Sequence, residues 1–135
     1  MIAEDEESAV LLVAHGSRVP ESNSEIGELA ARLSRLSHGQ RVAHAFLEMS
    51  RPSIPDAIDA LADAGVQRLV LIPYFLSGGR HVMEDIPAIA QAARARHPEL
   101  NLVVTAHFGA LASIPELLSD MVSNAPKAPT DPPGT

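Results

Sequence analysis

The sequence predicts an α/β protein of one domain, built on an open sheet of four parallel strands with helices on both faces. Continuous apolar runs, which suit strands buried on both faces, alternate four times with segments of helical periodicity. Because crossovers between parallel strands are right-handed, this alternation favours a doubly wound, flavodoxin-like sheet of strand order 2-1-3-4. We place the domain at residues 9–123, between an acidic segment at 1–8 and a proline-rich tail at 124–135 that we expect to be disordered.

The four predicted strands are short apolar runs that stop at polar residues, glycine or proline. They lie at 8–15, 41–47, 67–76 and 101–108. The third run is the strongest and leads into a Ser-Gly-Gly loop, which is a typical strand terminator.

The helices follow from apolar periodicity and from their caps. Apolar residues recur at helical spacing through 21–36, and the segment 53–56 reads as a serine cap with an acid three residues later. We expect this second helix to end at Gly65, a third to run from about 85 to 97 with Pro87 in its first turn, and a fourth to run from a Ser113 cap to about 122.

Composition excludes several classes of function. The net charge of −7, with nine arginines and one lysine, disfavours nucleic acid as a partner because phosphate binding needs a dense basic face. The absence of cysteine excludes disulfides, thiol catalysis and thiolate metal sites. No apolar run approaches the roughly 18 residues of a membrane span, and the N-terminus is acidic where a signal peptide is basic. We therefore expect a cytoplasmic protein with no membrane partner.

Chemically useful side chains lie where three of the predicted strands end. His15 follows the first strand, Glu48 the second and His81 the loop after the third. In doubly wound sheets the ligand crevice lies at the carboxyl ends of the strands, where the strand order reverses. Two imidazoles and a carboxylate suit a divalent metal when no thiolate is available, and partial burial beside His15 would suit Glu48 to proton transfer.

Three arginines lie close to those same residues. Arg18, Arg51 and Arg80 predict a cationic rim around the crevice, because the guanidinium group matches carboxylates and phosphates. The rim indicates a substrate with several acidic groups, and we expect Ser17 and Gly79 in the same loops to help bind it. Solvated loop arginines are the alternative for each one.

The other histidines do not follow the three strands that border the predicted crevice. We interpret His38, His44 and His97 as structural or solvated, whereas His107 ends the fourth strand and is a candidate to join the site. The sequence contains no glycine-rich phosphate loop of a known type.

The chain closely resembles the small class II chelatases of the CbiX/SirB type, over residues 9 to about 122. The segments that carry the resemblance are LLVAHGSR at 11–18, AFLEMSRPSIPDAI at 45–58 and LVLIPYFLSGGRHVMEDIP at 69–87. The last segment is the most specific, because it is far longer than a common motif.

The resemblance implies ATP-independent insertion of Co2+ or Fe2+ into sirohydrochlorin, a tetrapyrrole precursor of cobalamin and siroheme. It implies that His15 and His81 bind the metal and that Glu48 assists, with no cofactor beyond the substrate metal. Two pyrrolic protons leave in this reaction, and we expect a neutral imidazole or Glu48 to accept them. Nickel-inserting relatives can carry a histidine-rich stretch that this chain lacks, which disfavours Ni2+. Longer relatives carry two such halves, so we expect a homodimer.

Two other functions fit parts of the same pattern. A metal carrier or regulatory module would use the histidine pair without binding a tetrapyrrole. Histidine phosphatases also place a nucleophilic histidine after the first strand, but they precede it with an arginine, and Ala14 occupies that position here.

Overall fold

A computed structural model describes residues 7–132, apart from the side chain of His81. Its regular elements are, in chain order, β1 (Ser8–Ala14), α1 (Pro20–Leu36), β2 (Val42–Phe46), α2 (Ile54–Asp63), β3 (Arg68–Pro73), α3 (Arg80–Arg96), β4 (Asn101–Val104) and α4 (Ile114–Ser123). Most of the predicted acidic segment and the last three residues of the predicted tail lie outside the described residues.

The sheet has the predicted topology. Its strands are all parallel and lie in the order β2-β1-β3-β4. In the centre of the sheet, Leu11 of β1 pairs with Ala43 of β2 on one side and with Leu71 of β3 on the other. The strand order therefore reverses between β1 and β3, which puts the ends of β1, β2 and β3 around one crevice.

The main core lies between the sheet and the helix pair α2 and α3. Alternate strand residues face it, because successive side chains of a strand point to opposite faces. The fully buried members are Leu11, Val13, Ala45, Leu69 and Leu71 from the strands, Ile54 and Ile58 from α2, and Ala93 from α3. On the other face α1 packs on β1 and β2 and buries Ala30, while Phe46 is buried at the end of β2.

The start of α2 forms as predicted. The Ser53 hydroxyl accepts a hydrogen bond from the Asp56 amide at 3.2 Å, which satisfies one of the free N–H groups of the first turn. Ser113 precedes α4 as predicted, but its side chain makes no capping hydrogen bond, because the residue has helical rather than extended backbone angles.

The third helix differs from the prediction. It begins at Arg80, not near residue 85, so Arg80 and His81 lie in its first turn rather than in a loop, and Pro87 lies inside the helix. The physical reason is the apolar spacing: Val82 lies four residues before the buried Ile86 and packs against the same core. This packing extends the helix toward its N-terminus despite the two glycines that precede it.

The fourth strand is shorter than predicted. It ends at Val104, and the chain then forms a 3₁₀ turn at Phe108–Ala110. β4 is an edge strand and pairs only with β3. This pairing stops where the chain turns toward the loop that follows β3, which the Gly109 amide contacts at the Phe75 carbonyl.

The last helix and the residues after it are exposed. No residue of α4 is buried, and residues 124–132 form neither helix nor strand. Within residues 7–132, no helix combines the length and the apolar character needed to cross a membrane.

Candidate active site

A histidine and a glutamate from neighbouring strand ends contact each other at the carboxyl edge of the sheet. The His15 Nε2 atom lies 2.8 Å from the Glu48 Oε1 atom, and the two side chains are 49% and 45% exposed. A neutral imidazole has one N–H donor and one free ring nitrogen, so donation from Nε2 leaves Nδ1 free. A carboxylate that holds one ring nitrogen orients the imidazole and strengthens the other nitrogen as a metal ligand. The predicted adjacency is therefore present, and Glu48 is partly covered by its neighbours while nearly half of its side chain stays exposed.

The backbone extends the β1–β2 pairing as far as these two residues. The Leu47 amide donates to the Ala14 carbonyl at 2.9 Å, and the Glu48 amide donates to the His15 carbonyl at 3.0 Å. These hydrogen bonds bring the backbones of His15 and Glu48 together, although the register that pairs Ala14 with Phe46 would place Leu47 opposite His15.

Gly16 allows the two strand ends to come this close. Its φ of +99° is in the region that favours glycine, and a Cβ atom on it would lie 1.8 Å from the Glu48 carbonyl oxygen. In the sequence Gly16 is visible only as the residue that follows His15, and nothing in the local sequence reveals this approach to another strand.

The chain turns sharply after Glu48. Met49 has a φ of +66°, which is uncommon for a residue with a side chain, and the loop returns so that the Phe46 amide donates to the Pro52 carbonyl at 2.9 Å. The turn confines Glu48 to the strand end and leaves Arg51 exposed in the loop.

An asparagine holds the loop that follows His15. The Asn23 side chain accepts from the Ser17 amide at 3.0 Å and donates to the Ser17 carbonyl at 2.8 Å. The Ser17 hydroxyl accepts from the Val19 amide at 3.0 Å, so its oxygen is already used within the loop. Sequence reasoning missed Asn23, whose only signal is its place in the first turn of the helix after the motif.

An open cleft of about 490 Å³ lies beside His15. The Phe75 ring and the His15 imidazole pack edge to face, with their centroids 6.3 Å apart. The lining residues come from the end of β1, from the segment between β3 and α3, and from the first turn of α3. They are His15, Tyr74, Phe75, Leu76, Ser77, Gly79, Arg80 and Val82. The cleft thus combines an apolar wall with one imidazole and one guanidinium group.

The three predicted arginines are exposed at this edge. Arg80 is 91% exposed and donates through Nε to the Glu84 carboxylate at 3.1 Å. Within residues 7–132, neither Arg18 nor Arg51 forms an ion pair or a side-chain hydrogen bond. These two guanidinium groups are therefore free to meet an acidic ligand.

Three further histidines have structural or solvent-exposed positions. His38 is exposed in the turn after α1, His44 packs against Phe46, and His97 contacts the Asp59 carboxylate at 2.6 Å. The hydrogen bond from His97 lowers the pKa of Asp59, with a further contribution from Arg96, so this cluster joins α2 to α3 away from the cleft.

The described side chains provide two of the three predicted metal-site groups. Among them, no set of three or more histidine, aspartate and glutamate residues converges. The third predicted group belongs to His81, the second residue of α3. His107 lies in the loop after β4, against the segment that leads into α3.

Comparison with known proteins places this arrangement in context. The model of the CbiX family matches residues 9–125. The sirohydrochlorin cobaltochelatase of Methanothermobacter thermautotrophicus is 37% identical over 131 residues, covering 86% of this chain and 91% of the relative. The chloroplastic sirohydrochlorin ferrochelatase of Arabidopsis thaliana is 30% identical over 115 residues, covering 85% of this chain and 51% of the relative.

Solved structures show the same fold. A cobalamin biosynthesis CbiX protein from Marinobacter aquaeolei superposes with a TM-score of 0.73 at 24% identity, covering 86% of this chain and 94% of that chain. SirB from Bacillus subtilis, solved with Fe3+, superposes with a TM-score of 0.75 at 21% identity, covering 89% of this chain and 48% of SirB. The chain therefore spans about half the length of SirB and of the plant relative.

Proposed function

The chain belongs to the CbiX family, and on that premise we propose that it inserts a divalent metal, Co2+ or Fe2+, into sirohydrochlorin without a nucleotide. Relatives named for cobaltochelatase and ferrochelatase activity support the reaction and both metals. The observation that carries the proposal is the His15–Glu48 contact of 2.8 Å beside an open cleft at the carboxyl edge. The proposed location is the cytoplasm, as expected from the sequence.

In the proposed reaction the metal is a substrate that passes from protein ligands to ring nitrogens. His15 and His81 bind the ion and leave coordination positions open, because the four pyrrole nitrogens must replace protein ligands one after another. Glu48 accepts the two pyrrolic protons one at a time and passes each to water, because its side chain is 45% exposed. His15 does not relay them, since its Nε2–H is donated to Glu48 and its Nδ1 atom binds the metal. A carboxylate paired with a metal-binding histidine suits this role, since each proton removed offsets charge that the metal brings in.

The cationic rim and the neighbouring loops bind the substrate in this proposal. Arg18 and Arg51 meet its carboxylates directly, while Arg80 exchanges Glu84 for a substrate carboxylate. This exchange costs little, because exposed ion pairs contribute at most about 1 kcal/mol. Gly79 lines the cleft, and the Ser17 hydroxyl, whose oxygen accepts from the Val19 amide, still has a hydrogen to donate to the substrate.

The absorbance of sirohydrochlorin, mixed anaerobically with protein and Co2+ or Fe2+, tests the proposal. We expect faster conversion than without enzyme, and a rate roughly 100-fold or more lower for Glu48→Gln, which keeps the shape but does not accept protons as well. Glu99→Gln, at an exposed acid between α3 and β4, is the matched control. A folded protein that accelerates the insertion of neither metal overturns the proposal. A protein that binds Co2+ but no tetrapyrrole is a metal carrier instead.

We further propose that the working unit is a homodimer. Apolar residues of α4 recur at helical spacing and leave one unpartnered stripe, formed by Leu117, Leu118, Met121 and Val122, all at least half exposed. On the α1 side of the sheet, Val70, Ile72 and Val103 are only partly buried. A second copy of the chain would cover these surfaces. The plant relative and SirB are about twice as long as the part that matches this chain, so two copies of this chain would be about as long as one of them.

Sedimentation of the full chain at micromolar concentration tests this assembly. We expect a dimer that Met121→Asp dissociates, because a charge in an apolar interface loses its hydration. Ser119→Asp adds the same charge to the other side of α4 and should leave the dimer intact. A monomeric wild-type protein contradicts the proposed assembly.

A further inference from the structure

Two loops at the carboxyl edge hold each other in place. One leads from β3 to α3 (residues 74–79), and the other follows β4 (residues 105–110). The Gly109 amide donates to the Phe75 carbonyl at 2.8 Å, and the rings of Tyr74 and Phe108 lie 5.3 Å apart. Each loop therefore contributes one backbone contact and one ring contact to the other.

The fit at Gly109 allows no side chain. A Cβ atom there would lie 1.6 Å from the Leu76 carbonyl oxygen, so only glycine permits this approach of the two backbones. The close fit fixes the loop after β4 as a rigid neighbour of the segment before α3.

His107 extends the contact to Gly78, two residues before α3. A Cβ atom on Gly78 would lie 2.9 Å from Cε1 and 3.2 Å from Nε2 of the His107 ring, and 3.3 Å from the Met83 sulfur. The imidazole and the thioether therefore lie directly against the Gly78 backbone. The His107 side chain makes no hydrogen bond or ion pair within residues 7–132, so its contact there is packing.

The first turn of α3 needs such support from outside. The segment Ser77-Gly78-Gly79 has high conformational entropy, since glycine loses more backbone freedom on folding than any other residue. Gly79 caps α3 without a side-chain hydrogen bond, and the first helical bond runs from the Met83 amide to the Gly79 carbonyl. Contacts from the other loop therefore add to the packing of Val82 on the core in fixing the start of α3.

We propose that His107 is a positioning residue, which orders the first turn of α3 by packing on Gly78 and so places Arg80 and His81 over the cleft. The inference rests on the proposed function for the roles of Arg80 and His81. It assigns His107 a task distinct from metal binding: the ring acts by its shape rather than by its nitrogens.

Four variants of the full-length protein separate these roles. His107→Ala removes the ring, and Gly78→Ala pushes against it. The double variant Gly78→Ala/His107→Ala places the new methyl group in the vacated space. His107→Phe keeps a ring over Gly78 but has no nitrogen to bind a metal.

The visible absorption of bound Co2+, titrated without tetrapyrrole, gives the first readout. We expect each alanine single variant to bind Co2+ roughly tenfold more weakly, the usual range for losing a group that orients a metal ligand. The double variant and His107→Phe should recover most of the affinity. His44→Ala is the matched control, because that ring also packs on a glycine, Gly27, but away from the cleft.

Hydrogen exchange of the Met83 amide gives a readout that needs no metal. It should be faster in His107→Ala and close to wild type in His107→Phe. Unchanged exchange and unchanged Co2+ affinity in His107→Ala overturn the positioning role, and a Phe variant as weak as the Ala variant assigns His107 as a ligand instead. A wild-type protein that fails to bind Co2+ overturns the proposed metal site, while Met83 exchange still decides the role of His107.

Discussion

Replacing Gly16 by alanine should separate the two side chains of the proposed catalytic pair. The new Cβ atom would lie 1.8 Å from the Glu48 carbonyl oxygen, whereas real Cβ atoms essentially never come closer than 3.0 Å to a neighbour. The end of β1 and the start of the next loop must therefore open by about 1.2 Å at this point. A misplacement of about 1 Å can lower a catalytic rate on the order of 100-fold, so we expect a loss of that size in metal insertion.

The same substitution also strains the backbone, and this effect has its own control. Alanine at a φ of +99° costs on the order of 1–3 kcal/mol. Gly65 has a φ of +96°, but a Cβ atom there would meet nothing within 4 Å. Gly65→Ala therefore reproduces the strain without the clash, at the end of α2 and away from the cleft.

Chelation rates and thermal unfolding midpoints of both variants separate the two effects. Both variants should unfold at lower temperature, and only Gly16→Ala should lose activity at a temperature where both are folded. Equal activities of the two folded variants would refute the idea that close approach at Gly16 sets the His15–Glu48 geometry.

Two other residues give predictions of a different kind. Arg80→Ala should raise the KM for sirohydrochlorin roughly fivefold with little change in kcat, which is the size expected for the loss of an exposed charge pair. Glu84→Gln, which frees Arg80 from its ion pair, should not raise the KM. An unchanged KM in Arg80→Ala contradicts the proposal that the cationic rim binds the substrate. Because the pKa of Asp59 is lowered from its ordinary 3.8 by the hydrogen bond from His97, its stabilising effect is complete above that value and is lost as pH falls through the lower folded-state pKa. The difference in unfolding midpoint between wild type and Asp59→Asn should therefore stay constant above about pH 4 and shrink as the pH falls further. A difference that does not change with pH contradicts this prediction. Asp63→Asn, at an exposed residue of the same helix, is the control.

The fold could be predicted from the sequence because its strongest signals are local. Buried parallel strands need continuous apolar runs, and the serine cap at Ser53 with Asp56 three residues later marks a helix start by itself. The start of α3 could not be predicted in this way, because two glycines and Pro87 argue locally against helix while Val82 gains burial only in the assembled core. Tertiary packing outweighed local propensity at that point.

Part of the candidate site could also be predicted from the sequence, and part could not. The adjacency of His15 and Glu48 follows from strand order alone, because both residues end neighbouring parallel strands. The contacts that fix this pair could not be predicted from the sequence. The approach of Gly16 to Glu48 and the hydrogen bonds between Asn23 and Ser17 belong to no motif that marks them in the sequence. Sequence reasoning identifies reactive side chains more readily than the backbone that positions them.

The exposure of the pair indicates how the proposed reaction is protected from water. His15 and Glu48 are each nearly half exposed, and a charged hydrogen bond is weak where water competes for it. Around them, Met49, Leu76 and Met83 present exposed apolar side chains at the same edge of the sheet. A flat macrocycle bound across this edge would cover these residues and displace water from the pair. The attraction between imidazole and carboxylate would then strengthen only with substrate in place, so that proton transfer is favoured in the complex and not in the free enzyme.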